Sequence, residues 1–328
     1  MPVSVSKRFV KPFLVAILLL CFCIALLVLS GAGSELDLTP LPDPRLILPA
    51  IMLQIMASLL FIFAWKTLLG LQRELQFSFA ECSAHIGVTL LGKYLPGKIW
   101  GLLGRSYLLT QRGMSSGLAL NLLLADQFVT FYTGIMIGVV ALLALYSPAL
   151  SILLAALACL AFPLSLRYYD RIMQIGSRLL NFLTRKISPY QGSNNTAMEP
   201  RIFYSTFVVY TAHWLFTSLV LCLLFSPSFG PSFTGDIVPG IIVITAAIPL
   251  AMLLGFVAIW APGGIGVREG TIVAILALQF PLELALTIAI YYRIICIAID
   301  LVIGAFAVFY LAKKAPWLLA QEAANYTG

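Results

Sequence analysis

The sequence predicts an all-α, polytopic integral membrane protein of about seven or eight transmembrane helices, with two segments broken or made re-entrant at Pro-Gly. Three observations carry this. Hydrophobic residues fill 61% of 328 positions and only 10% are charged, whereas a soluble domain has about a quarter of its residues charged. Long apolar runs recur along the chain, with room for roughly seven or eight spans of about 20 residues each. Two Gly-rich, cation-bearing stretches, Gly92 to Arg105 and Trp260 to Gly270, interrupt that background. Both read Pro-Gly-x-Ile, then a Gly, then an Arg. No stretch is long enough for a separate soluble domain, so residues 1–328 form one membrane domain.

Taken in order, Lys7, Arg8 and Lys11 precede the apolar run Phe13 to Ser30. Cations before a first apolar run place the N-terminus in the cytoplasm, and the run is longer than a signal core, so an uncleaved first span is expected. Ser34 to Arg45 is acidic and Pro-rich, which suits the outer face. Leu46 to Trp65 returns to Lys66 and Arg73. Phe77 to Gln111 contains apolar pieces too short to cross about 30 Å, separated by Pro96 and Gly97. Pro stops a helix and Gly frees the backbone. A hairpin of two half-helices fits; an interfacial helix followed by a loop fits less well.

Gly117 to Tyr146 is longer than a span needs and should tilt; its Gly134 and Gly138 form a small-xxx-small packing face. Ala149 to Leu166 comes back. Residues 170–187 alternate apolar and basic positions at helical spacing, as in an amphipathic helix on the cytoplasmic face, and a polar linker follows. Ile202 to Phe225 and Ile237 to Ile259 are the next runs, the latter kinked or split at Pro249 or Gly255. Thr271 to Phe280 is short, and Leu282 to Leu311 ends at Lys313 and Lys314. Seven crossings would put those lysines outside, against the charge rule, so a segment between Pro249 and Phe280 is the candidate for an eighth. The order span, span, break, span occurs in both parts of the chain and suggests repeat halves 1–166 and 201–314.

The composition also excludes. The net charge of +7 is scattered between apolar runs rather than gathered on one face, so nucleic acid is not a partner. The six cysteines show no C-x-x-C spacing and the two histidines no ligand motif; no metal or other cofactor is expected. No catalytic motif is present, so the chain reads as a non-enzyme.

The chemistry concentrates at the breaks. Lys93, Lys98, Arg105 and Arg268 are costly in hydrocarbon and should face protein, water or head groups. Arg offers a fork for two phosphate oxygens and Lys a point charge. Lipid phosphate is therefore the expected ligand, with Pro96, Gly97, Pro262, Gly263 and Gly264 shaping the backbone. The alternative is plain pairing or snorkelling. Asp126, Asp300, Arg293 and Glu269 are the charge-tuning or pairing groups. Asp126 suits Arg105 or Arg268, and Asp300 suits Arg293 or a cation of the breaks.

The motifs Lys93 to Trp100 with Gly104-Arg105, and Pro262 to Gly270, resemble the lysylphosphatidylglycerol synthase transmembrane (flippase-like) family. The resemblance implies a translocator of a phosphate-bearing lipid in envelope biogenesis at the inner membrane. The cargo would be a polyprenyl-phosphate-linked sugar or a modified phospholipid, with anionic or polyprenyl-phosphate lipids as partners. It implies, alternatively, a non-transporting partner of a glycosyltransferase. The synthases carry their aminoacyl transfer on a cytosolic domain. Only 14 residues follow Lys314 here, so the membrane part alone is expected. The first motif also differs from the synthases' Gly-Glu-x-x-Arg form, which does not favour phosphatidylglycerol derivatives.

Overall fold

A computed structural model describes residues 43–71, 75–95, 100–168, 171, 175, 199–226, 237–258 and 260–314. The expected first span, nearly all of the amphipathic segment 170–187, and Pro96, Gly97 and Lys98 lie outside the described residues. Within them the chain is helical without strands, as an all-α membrane protein requires: with no water to satisfy backbone groups, a spanning segment must bond to itself.

The helices are α1 (Pro44–Leu69), α2 (Phe79–Gly92), α3 (Trp100–Gln111), α4 (Ser116–Tyr146), α5 (Pro148–Arg167), α6 (Pro200–Phe225), α7 (Ile237–Val257), α8 (Val267–Leu276) and α9 (Leu282–Lys314). Six of them, α1, α4, α5, α6, α7 and α9, are long and apolar enough to cross a membrane. Their surface is inverted relative to a soluble protein. Ile152, Leu157, Leu160 and Leu164 of α5 are all more than half exposed, the pattern of a lipid-facing helix.

Local signals set the ends. Asp43 caps α1, accepting from the Arg45 N–H at 2.9 Å, and Pro44 occupies the first turn, where its missing N–H costs nothing. Ser78 and Ser115 cap α2 and α4 in the same way. Pro249, where the sequence suggests a kink or split, lies inside an unbroken α7. The interruption comes later, between Val257 and Val267.

Side-chain contacts fix the directions. Antiparallel α1 and α6 form the centre: His213 Nδ1 bonds the Ala57 carbonyl at 2.8 Å and Phe61 meets the Tyr210 ring at 5.6 Å. Leu69, Gln111, Arg167, Pro200 and Lys314 then terminate helices at one end, which also holds Lys66, Arg112, Arg201 and Lys313. We call it the basic end. At the other, Phe225 at the close of α6 packs on Phe280 just before α9, with ring centroids 4.4 Å apart. The pair α7–α8 therefore returns to the end it started from, and α9 brings Lys313 back to the basic end. α7 has the length of a full crossing, and its end lies deep inside the bundle. Phe256 meets Phe131 of α4 at 4.6 Å, about 22 Å along a helix about 45 Å long.

Two helical hairpins thus point at each other. α2–α3 enters from the basic end and α7–α8 from the opposite end. Each packs on the long helix of the other half, α2 on α9 and α7 on α4. Equivalent glycines admit them. Gly304 of α9 receives Leu91 and Gly138 of α4 receives Leu250; a Cβ at either glycine would stand within 2.6 Å of the leucine. The helix starts Ser116 and Leu282 are 166 residues apart, and so are the two glycines. α1 and α6 match as well: both have 26 residues and both begin Pro-Arg.

Candidate functional site

The hairpin tips meet near mid-height. Lys93 and Tyr94 continue α2 in a turn, with the Lys93 N–H on the Thr89 carbonyl at 3.0 Å. The Lys93 carbonyl accepts from the Gly263 N–H at 2.7 Å. Gly263 has φ +61°, a conformation that side chains resist, and the Tyr94 ring lies where its Cβ would be. The turn Pro262–Gly264 is therefore shaped to take the other tip. The α2 tip rests on Asp300 of α9, about 27 Å along a helix about 48 Å long. Lys93 Nζ stands 2.5 Å from Asp300 Oδ2, and the Tyr94 hydroxyl donates to the same oxygen at 2.7 Å.

Arg268 sits in the first turn of α8, 6% exposed. Its stem passes between Gly255 and Gly264, where an added Cβ would come within 2.4 and 2.7 Å of it. Its Nε is buried and has no hydrogen-bond partner. Arg293 Nε bonds Glu269 Oε1, while the buried Arg293 Nη2 is also without a partner. Glu269 Oε2 accepts from the Gly266 N–H at 2.7 Å. The start of α8 is thus already capped by its own carboxylate and does not offer that N–H to a ligand.

Lys93, Arg268, Arg293 and Asp300 line one cavity of about 100 Å³. Its other wall comes from α1 and α6: Gln54, Ser58, Phe61, His213, Trp214 and Thr217. Sequence reasoning missed this wall. Gln54 is a buried amide in an apolar span, a signal that was there to be read; Ser58 and Thr217 look like ordinary helix hydroxyls, and His213 like a packing residue.

Arg105 and Asp126 are elsewhere. Arg105 is fully buried, pairs through Nη2 with Asp126 Oδ2 at 3.0 Å, and lies 3.4 Å over the Trp65 ring. The Tyr210 hydroxyl donates to Asp126 Oδ1, and Gln127 donates to Oδ2 at 3.3 Å. This knot joins α1, α3, α4 and α6. Neither Arg105 nor Asp126 lines the cavity. The structure brings Arg268, Lys93, Arg293 and Asp300 together, with Glu269 behind Arg293, and leaves Arg105 and Asp126 apart from them. Of the residues expected to shape the backbone, Pro262, Gly263 and Gly264 form the described tip.

No curated protein matches the chain in sequence. Residues 9–304 match the family described as the lysylphosphatidylglycerol synthase TM region. That match covers most of the chain, including both hairpins and the cavity, and the protein belongs to this family.

Proposed function

We propose that the protein binds the phosphate of a membrane lipid in the cavity between the hairpin tips and carries that lipid across the bilayer, as a carrier and not a catalyst. One observation supports this above the others: Arg268 and Arg293 line one cavity, and each has a buried guanidinium nitrogen, Nε and Nη2, without a hydrogen-bond partner. An unpaired polar atom of a charged group in low dielectric is expensive. A phosphate oxygen is the acceptor that a membrane supplies in quantity, and Arg is the side chain suited to it. Leu90, Ile248, Met252 and Ile299 add an apolar wall for the start of a lipid chain.

The two hairpins are read as re-entrant, and α1–α4 and α6–α9 as inverted halves. Membrane carriers of this plan hold substrate where the broken elements of the halves meet, near the bilayer centre. The basic end, with Lys66, Arg112, Arg167, Arg201 and Lys313, would face the cytoplasm of an inner membrane.

Reconstitution in liposomes with fluorescent phospholipids tests the reading. Arg268→Gln is expected to lower lipid translocation at least tenfold, since a hydrogen bond between charged partners contributes about 1.5–3 kcal/mol. Translocation at the wild-type rate in Arg268→Gln and Arg293→Gln would overturn it.

A further inference from the structure

The ion pair Lys93–Asp300 differs from the others in where it sits. Among the described residues, Arg105–Asp126 and Arg112–Glu81 lie within the first half of the chain, and Arg293–Glu269 lies within the second. Lys93–Asp300 runs from one half to the other. The side chains of Arg105 and Asp126 are fully buried, whereas those of Lys93 and Asp300 keep 18% and 12% of their surface exposed. Both of the latter line the cavity, so a ligand there meets this pair and not the other.

Asp300 is also loaded unevenly. Lys93 Nζ and the Tyr94 hydroxyl both bond Oδ2, at 2.5 and 2.7 Å, and Oδ1 is left open. A proton can bind at Oδ1 without displacing either partner. The charged groups that face Asp300 are Lys93 from the α2 tip, Arg268 from α8 and Arg293 from α9 itself. Glu269 is held by Arg293 and the Gly266 N–H. Tyr94, Tyr292 and Cys296 are the other titratable groups on that side, and His213 of α6 stands on the opposite wall. α1 and α7 line the cavity without a titratable group.

In the empty cavity Asp300 is the counter-charge of Lys93. A phosphate set between Lys93, Arg268 and Arg293 brings a second anion to that ammonium, and the two anions repel at close range. A proton on Asp300 removes one of them. Lys93, left charged at mid-height, then takes its acceptor from the ligand.

We propose, resting on the phosphate-lipid reading above, that Asp300 is a proton-binding site linked to the cargo. A lipid phosphate on Arg268 and Arg293 draws Lys93 Nζ away from Asp300, and Asp300 takes up one proton from water at Oδ1. No other bond is made or broken, and the Lys93 carbonyl keeps the Gly263 N–H, so the tips stay joined. Linkage is reciprocal: the proton strengthens anion binding by the factor by which the anion strengthens proton binding, and affinity rises as pH falls. A lipid carried in this form brings one proton with it.

The test uses the detergent-solubilised full chain and dihexanoyl phosphatidylmethanol, a phosphodiester whose own charge is constant between about pH 5 and 8. Its affinity, measured by thermophoresis, is expected to rise as pH falls, with a slope approaching about tenfold per pH unit, the limit for one proton taken up. In weakly buffered solution an indicator dye should report about one proton taken up per lipid bound. Asp300→Asn should abolish the slope and the uptake, and bind at high pH as the wild type does at low pH. His213→Gln should keep the slope. The wild-type uptake carries the test even where Asp300→Asn fails to fold. Wild-type affinity independent of pH with no proton taken up overturns the linkage and leaves the phosphate reading standing. A slope kept in Asp300→Asn or lost in His213→Gln also overturns it. Absence of binding at every pH overturns both.

Discussion

Two buried arginines on two returning half-helices, Arg105 on α3 and Arg268 on α8, differ in their counter-charge, although each keeps buried guanidinium nitrogens without a hydrogen-bond partner: Nε and Nη1 of Arg105, and Nε of Arg268. Arg105 is enclosed: a carboxylate on one edge, an indole face across its plane, and a tyrosine holding the carboxylate in turn. Arg268 is held between two glycines, lines the cavity, and has a buried Nε without a partner. Burying a charge is costly in both places. At Arg105 the protein itself supplies the counter-charge, which makes a joint between four helices. At Arg268 the nearby carboxylates go to Lys93 and Arg293, and the acceptor is left to a ligand.

That contrast can be broken by substitution, and the largest effect belongs to the enclosed pair. Arg105→Ala leaves Asp126 charged and buried, and should destabilise the protein by about 3–5 kcal/mol, seen as a lowered unfolding midpoint in detergent. The double change Arg105→Met with Asp126→Leu should recover most of that loss, because it removes both charges. Next comes Arg268→Gln: a loss of lipid affinity of about tenfold or more, with little change in the unfolding midpoint. A midpoint drop as large as that of Arg105→Ala would erase the distinction.

Gly264→Ala sharpens it further. Gly264 has φ +73° and its Cβ would press on Arg268 Nε, so the change should cost about 1 kcal/mol or more and weaken lipid binding without touching a charge. Smallest is Tyr94→Phe, which removes one bond to Asp300 and should cost about 0.5–1.5 kcal/mol. Lys93 keeps Asp300 paired there, so lipid binding should persist.

Much of this architecture was legible in the sequence. Apolar run length located the six long helices to within a few residues, and the Pro262-Gly263 break located the tip between α7 and α8. Arg105 and Arg268 are both expected at the lipid phosphate, and the structure lines the cavity with Arg268 and not with Arg105. Asp126 suited either arginine by spacing, and only three-dimensional packing shows that it lies beside Arg105. The direction of α7 was also hidden, because 21 apolar residues read as a crossing whether or not the helix stops near Phe131. The wall formed by α1 and α6 was hidden for a different reason. Serine and threonine in a span usually bond within their own helices, as Ser58 and Thr217 do, and His213 bonds across to α1. What distinguishes them is a shared cavity, which no linear pattern encodes.

The most direct measurement is a cryo-EM structure in nanodiscs of phosphatidylglycerol at a resolution that shows head groups. A lipid phosphate within about 4 Å of Arg268 Nε or Arg293 Nη2, between tips still joined through Lys93 and Gly263, is the expected result. A cavity holding only acyl chains, with every ordered phosphate at the surface of the bundle, would contradict the account.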